Sequence, residues 1–119
     1  MNRVQFVQYK GKTILHLDFS SLKLAELSEA IGKAKQVISS KPANSLLVLT
    51  DVTDAEMSRG TSDLMKEFGV HNKPYVAASA VVGVTGLRKI VYDAVVRISG
   101  RQIATFGTVE QAKDWLAAQ

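Results

Sequence analysis

The chain contains no cysteine and only two prolines among its 119 residues. Without thiols it can build neither a disulfide framework nor a thiolate zinc site, and it has no cysteine nucleophile; this fits an intracellular protein, and the expected location is cytoplasmic. No run approaches the ~18 consecutive apolar residues of a membrane span. Met1 to Tyr9 alternates apolar and polar residues, which is not the pattern of a secretory leader. Neither G-x-S-x-G nor H-E-x-x-H occurs, so two common local signatures of hydrolases are missing. His16 and His71 have no cysteine or carboxylate at metal-ligand spacing around them. The expectation is therefore no metal, no cofactor and no enzymatic activity.

What is present describes one globular domain. Apolar residues make up 46% of the chain, enough for a single core that needs no staple. The formal charge is +4. It is unevenly spread, with Lys and Arg in excess before residue 46 and after residue 73, and Asp and Glu in excess between them. Basic residues mostly alternate with acidic ones and do not cluster among aromatics, so no nucleic-acid partner is expected.

Arg3 to Tyr9 and Lys12 to Phe19 are β-branched and aromatic stretches separated by Lys10-Gly11, the pattern of a hairpin. Leu24, Leu27, Ile31, Ala34 and Ile38 form one helical stripe behind Ser20 and Ser21, either of which can cap it, and Pro42 ends it. Leu46 to Leu49 is uniformly apolar, as a central strand covered on both faces would be. Thr53-Asp54-Ala55-Glu56 reads as a capping box, opening a second helix with Met57, Thr61, Leu64 and Phe68 inward and Gly69 as its left-handed cap. Tyr75 to Val82 is a strand rich in small residues. A third helix carries Leu87, Ile90, Val91, Ala94, Val95 and Ile98 inward and ends at Gly100. Arg101 to Phe106 reads as a fifth strand, and Thr108 to Gln111 as a second capping box before a last helix with Val109, Ala112, Trp115 and Leu116 inward.

The order ββαβαβαβα implies a two-layer α/β domain, a five-stranded sheet parallel except at its N-terminal hairpin. Strands three and four are apolar on both faces, so the face away from the helices needs a cover, either a helix or a second copy of the chain. A homodimer is the expectation on the second of these.

Chemistry in such a sheet collects at the carboxyl ends of the strands. Thr50 to Asp54 places Asp51, Asp54 and two hydroxyls there, either as a plain helix cap or as a polar surface where a helix N-terminus favours an anion. A magnesium pair at Asp51 and Asp54 would usually also need substrate phosphates. Gly83-Val84-Thr85-Gly86 with Arg88 and Lys89 is a second candidate for holding an anion on exposed N–H groups, set against an ordinary solvated turn. Phe106 to Thr108 is explained by its cap. Met57, Met65 and Phe68 have helical spacing and read as core.

The element order, the turn Asp51-Val52-Thr53 after an apolar strand, the small-residue strand Ala77 to Val82, the stretch from Asn72-Lys73-Pro74 through Gly83-Val84-Thr85-Gly86-Leu87-Arg88-Lys89, Ser99-Gly100-Arg101 and Ala112-Lys113-Asp114-Trp115-Leu116 resemble the STAS domain family. The likeness covers essentially the whole chain and is nearest to anti-sigma-factor antagonist-like members. It implies a module that binds a protein partner and is regulated by phosphorylation of a serine or threonine in a D-x-S/T turn. Asp51 matches the aspartate and Thr53 the acceptor, whereas Asp54 stands where a small residue is usual. On this view the recognition surface runs from Asp51 to Ser58, with Gly83, Thr85, Gly86 and Arg88 beside it. The related comparison with CRAL-TRIO lipid-binding domains suggests a small apolar ligand near Ala78, Ala80 and the third helix.

Overall fold

The computed structural model describes residues 2–119. Strands β1 (Val4–Tyr9) and β2 (Lys12–Asp18) pair antiparallel across Lys10 and Gly11, whose φ values of 48° and 80° make the tight turn that joins a twisted hairpin. Helix α1 (Leu24–Ser39) then leads to β3 (Leu46–Asp51), α2 (Arg59–Asn72) to β4 (Val76–Val82), α3 (Arg88–Ser99) to β5 (Ala104–Phe106), and α4 (Val109–Ala117) closes the chain. The strands lie in the order β1-β2-β3-β4-β5, with β2 to β5 mutually parallel. The expected mixed α/β sheet and element order are therefore present.

Period-two alternation divides the sheet between two cores. Leu15, Leu17 and Val48 face α1 and α2, together with Phe19, Leu27, Ile31, Ile38 and Phe68. Ile14, Leu49, Ala80 and Val82 face the other way, against Ala112 and Leu116 of α4. The domain thus has three layers where two were expected, because α4 crosses behind the sheet. That helix is the cover the apolar strands required, so the argument that called for a second copy of the chain is met within one chain. Tyr9 and Lys10 both donate to Asp114 at 2.7 Å, pinning α4 to the hairpin. Chiefly through that hydrogen bond, the Tyr9 phenol is pushed up to about 12.

Several local expectations are corrected. Neither Ser20 nor Ser21 caps α1; Ser20 turns back to bond Asp18, and the Glu26 carboxylate accepts the N–H of Lys23, the residue at the cap. Leu24 is exposed. Helix α2 begins at Arg59, after Ser58, and not after Thr53. Ser58 Oγ accepts the Thr61 N–H at 3.2 Å while Thr61 Oγ1 accepts the Ser58 N–H at 2.9 Å, so the reciprocal box forms one turn later than the S/T-x-x-E pattern suggested. Gly69 does not end α2. It lies buried within the helix, where a Cβ would stand 2.5 Å from Val95 Cγ1, and its absence lets α2 and α3 approach closely.

The inward face of α3 is also rotated from the expected stripe. Ala94, Val95 and Ser99 are buried, whereas Leu87, Ile90 and Ile98 are exposed. Apolar residues occupy two adjacent stripes of this helix, and Tyr92, which donates to the carbonyl of Ile103 outside the helix, marks how it is turned. Finally, β5 spans three residues only. Gly100, at φ 66°, caps α3, and Arg101 to Ile103 leaves the sheet with Arg101 donating to the Gly69 carbonyl.

Candidate functional site

At the carboxyl ends of the central strands three loops meet. The loop after β3 is held on both sides by backbone bonds of 2.9 Å: Ser21 N–H donates to the Thr53 carbonyl, Glu56 N–H to the Leu22 carbonyl, and Val52 N–H to the Val82 carbonyl. Asp51, the last residue of β3, turns its carboxylate onto the corner. Its Oδ1 accepts the Thr53 N–H at 2.9 Å and the Thr53 hydroxyl at 2.6 Å, an Asx-type turn that fixes the backbone without a helix. Asp54 follows at φ 56°, in the left-handed region that aspartate tolerates better than most residues. Thr53, Asp54 and Ser58 are exposed and Asp51 is half-buried. The corner is therefore open to solvent, as the sequence suggested, although no helix dipole stands behind Thr53.

Gly83 closes the corner from the β4 side. Its φ is 90°, and a Cβ there would fall 2.6 Å from the Thr53 backbone nitrogen and 2.6 Å from Thr53 Oγ1, so only glycine fits. Arg88 ties this loop down, with Nε donating to the Gly83 carbonyl at 3.0 Å and a guanidinium nitrogen to Thr85 Oγ1 at 3.2 Å. The N–H groups of Arg88, Lys89 and Ile90 donate to the carbonyls of Thr85, Gly86 and Leu87. Those bonds use the N–H groups of the first helical residues, and Lys89 pairs with Asp93. The second candidate is thus a braced loop. Asp51, Thr53, Gly83, Thr85 and Arg88 form one connected unit, whereas Ser58 stands apart as the cap of α2 and bonds Glu56. The third segment caps α4 with half of the expected box: Thr108 Oγ1 accepts the Gln111 N–H at 3.1 Å, and among the described residues no bond returns from the Gln111 side chain to the Thr108 N–H. Among the described residues no three His, Asp or Glu side chains converge as a metal would need.

A cavity of about 80 Å³ lies between α2, α3 and the sheet, walled by Val48, Thr50, Ser79 and Val81 of the strands and by Phe68 and Val95 of the helices. Its position corrects the expected pocket by one residue. Ala80 points to the α4 face and is fully buried there, and Ala78 packs on the same side, so the neighbours Ser79 and Val81 face the cavity. Four of its lining residues are polar and almost wholly buried: Thr50 (5% exposed), Thr61 (3%), Asn72 (3%) and Ser79 (6%). Arg101 also reaches it, and burial alone lowers that guanidinium's pKa. Neither Arg101 nor Asn72 stood out in the sequence, because an arginine after a helix-ending glycine reads as the start of a strand.

Comparison of the chain with protein-family models, with curated proteins and with solved structures finds no match.

Proposed function

We propose that this chain is a non-enzymatic, STAS-like protein-interaction module of the cytoplasm whose recognition surface joins the Thr53 corner to the first turns of α3. The observation that carries the reading is the pairing of a braced polar corner with exposed apolar side chains. Leu87 is 67% and Ile90 66% exposed, on a helix whose first turn is tied by Arg88 to the glycine that touches Thr53. Large apolar residues grouped beside polar ones on a surface are what a protein partner buries. Self-association is not part of the proposal, since α4 covers the sheet face that had called for it.

Thr53 is the point of control in this reading. A phosphoryl group on Oγ1 removes the hydroxyl that donates to Asp51 and adds about −1.5 to −2 charge within reach of Asp51 and Asp54. Repulsion then opens the corner and changes the partner surface. The test is quantitative affinity capture from the native cell with wild type, Thr53→Glu and Ile90→Glu as baits. A partner retained by wild type and lost by both variants supports the reading. Equal recovery by all three, with folding intact, refutes it.

A further inference from the structure

The short β5 leaves part of the sheet edge open. β4 begins at Val76, but its pairing with β5 begins at Ala80 opposite Ala104. Along Val76 to Ser79 no strand bonds that edge among the described residues, so its backbone donors and acceptors line a polar groove of about 210 Å³. Lys73, Gly100, Arg101 and Gln102 form the opposite side. Two cations therefore face this groove. Among the described residues neither Lys73 nor Arg101 has a carboxylate partner, and the one side-chain bond of Arg101 goes to the Gly69 carbonyl. The half-buried guanidinium keeps donors free to take a carboxylate from the groove.

Ser79 and Arg101 line both the groove and the apolar cavity described above. A polar, cationic trough thus adjoins an apolar chamber across the same two side chains. We propose that the two form one binding site for a small amphipathic carboxylate, its head beside Arg101 and Lys73 and its aliphatic tail in the cavity against Val81, Val91 and Val95. Arginine matches a carboxylate with a planar fork of donors. Ser79, shared by the two, stands where head and tail meet. The chamber, at about 80 Å³, is roughly half the ~150 Å³ that accepts a benzene ring, so it takes roughly the last three carbons of a chain whose first methylenes lie in its mouth beside Ser79, and not a long acyl tail. The head lies near the amino end of β4, whereas the cavity runs past Val81 to Val84 and to Arg88, which braces the Thr53 corner; carboxylate titration tests this site, and partner capture with Thr53→Glu and Ile90→Glu tests the interaction surface, so either can fail without the other.

The probes are hexanoate, its uncharged analogue hexanamide, tail-less acetate and the longer decanoate, titrated into the full chain and followed by amide NMR. Hexanoate is expected to saturate, with shifts centred on Ser79, Arg101 and Val95. Hexanamide, acetate and decanoate should each bind about tenfold weaker or worse, the loss of a charge-assisted bond accounting for the first. Arg101→Gln should weaken hexanoate by a similar factor. Lys73→Ala, a change at an exposed residue that leaves the fold intact, should weaken it less but measurably. The proposal is overturned if hexanoate fails to saturate, if hexanamide binds as well, if the shifts map elsewhere, or if a folded Arg101→Gln protein or Lys73→Ala protein binds hexanoate like wild type.

Discussion

Gly83 and Gly86 offer a controlled measurement of how tightly the Thr53 corner is built. Both have positive φ, 90° and 57°, but a Cβ at Gly86 meets nothing within 4 Å, whereas at Gly83 it meets the Thr53 nitrogen, Oγ1 and Cα at 2.6 to 2.7 Å. Alanine in a left-handed conformation costs about 1–2 kcal/mol, offset by roughly 0.4–1 kcal/mol through a stiffer unfolded chain. The unfolded-chain contribution is common to the two variants, and the strain is no smaller at Gly83, whose φ lies further from the left-handed minimum. Only Gly83→Ala adds overpacking, typically about 1–3 kcal/mol. The contact is with backbone that is itself held by Asp51 and Ser21, so it cannot be relieved by rotating a side chain. The expected result is that Gly83→Ala loses about 1–3 kcal/mol more than Gly86→Ala, measured by equilibrium urea unfolding with Trp115, the single tryptophan, as the fluorophore. Amide shifts at Ser21, Asp51 and Thr53 should accompany the loss in Gly83→Ala alone. Equal destabilisation of the two variants, within the ~0.5 kcal/mol resolution of such comparisons, would refute the close-approach argument.

Three further expectations concern other parts of the fold. Ser58→Ala should cost about 1 kcal/mol, as a lost cap does, and lower the helix signal by circular dichroism, while Thr53→Ala should leave that signal unchanged because Thr53 caps nothing. Gly69→Ala should be destabilising on its own by overpacking against Val95, and Val95→Ala should partly rescue it, so that a double-mutant cycle in urea gives a coupling of about 1 kcal/mol or more. The His16 imidazole is held below its usual pKa first by burial and then by the charge of Lys113, against the opposing charges of Asp18 and Asp51, and its Nε2 is buried without a partner. The folded state therefore favours the neutral ring, and stability is full above the unfolded value of about 6.5 and declines as pH falls from there toward the depressed folded pKa; His16→Gln should flatten the urea midpoint between pH 7 and pH 5.

Most of the sheet was legible in the sequence because its inner strands and hairpin follow simple physical rules. The hairpin showed alternation around Lys10-Gly11, and the uniform run Leu46 to Leu49 implied burial on both faces. Where two local signals competed, tertiary packing chose between them. Thr53-x-x-Glu56 and Ser58-x-x-Thr61 both resemble helix starts, and the first loses because Asp51 takes the Thr53 N–H and hydroxyl for itself. Gly69 resembles a helix stop, yet its value lies in close packing against Val95. On α3 two apolar stripes are equally good by periodicity, and the partner of Tyr92 shows how the helix is turned. The Thr53 corner was therefore found for a reason that proved only partly right: its position at the strand's end was readable, its bracing was not.

One misread segment accounts for most of what the sequence concealed. Extending the register Ala80 to Ala104 backwards would set Arg101, Gln102 and Ile103 opposite Ala77, Ala78 and Ser79. Had that stretch joined the sheet, as its composition suggested, its backbone would occupy the polar groove and Arg101 would lie along an ordinary outer strand. Instead the left-handed Gly100 turns the chain away from α3, the Ile103 carbonyl accepts from Tyr92, and Arg101 is drawn under α2 to the Gly69 carbonyl. The Tyr92 bond to that exiting segment holds α3 with Leu87, Ile90 and Ile98 outward. The open sheet edge, the unpaired guanidinium and the exposed apolar stripe are thus consequences of one local choice, the exit of Arg101 to Ile103 from the sheet. A variant that restores pairing there should fill the groove and re-aim α3 together, a coupling that two unrelated surface features would not show.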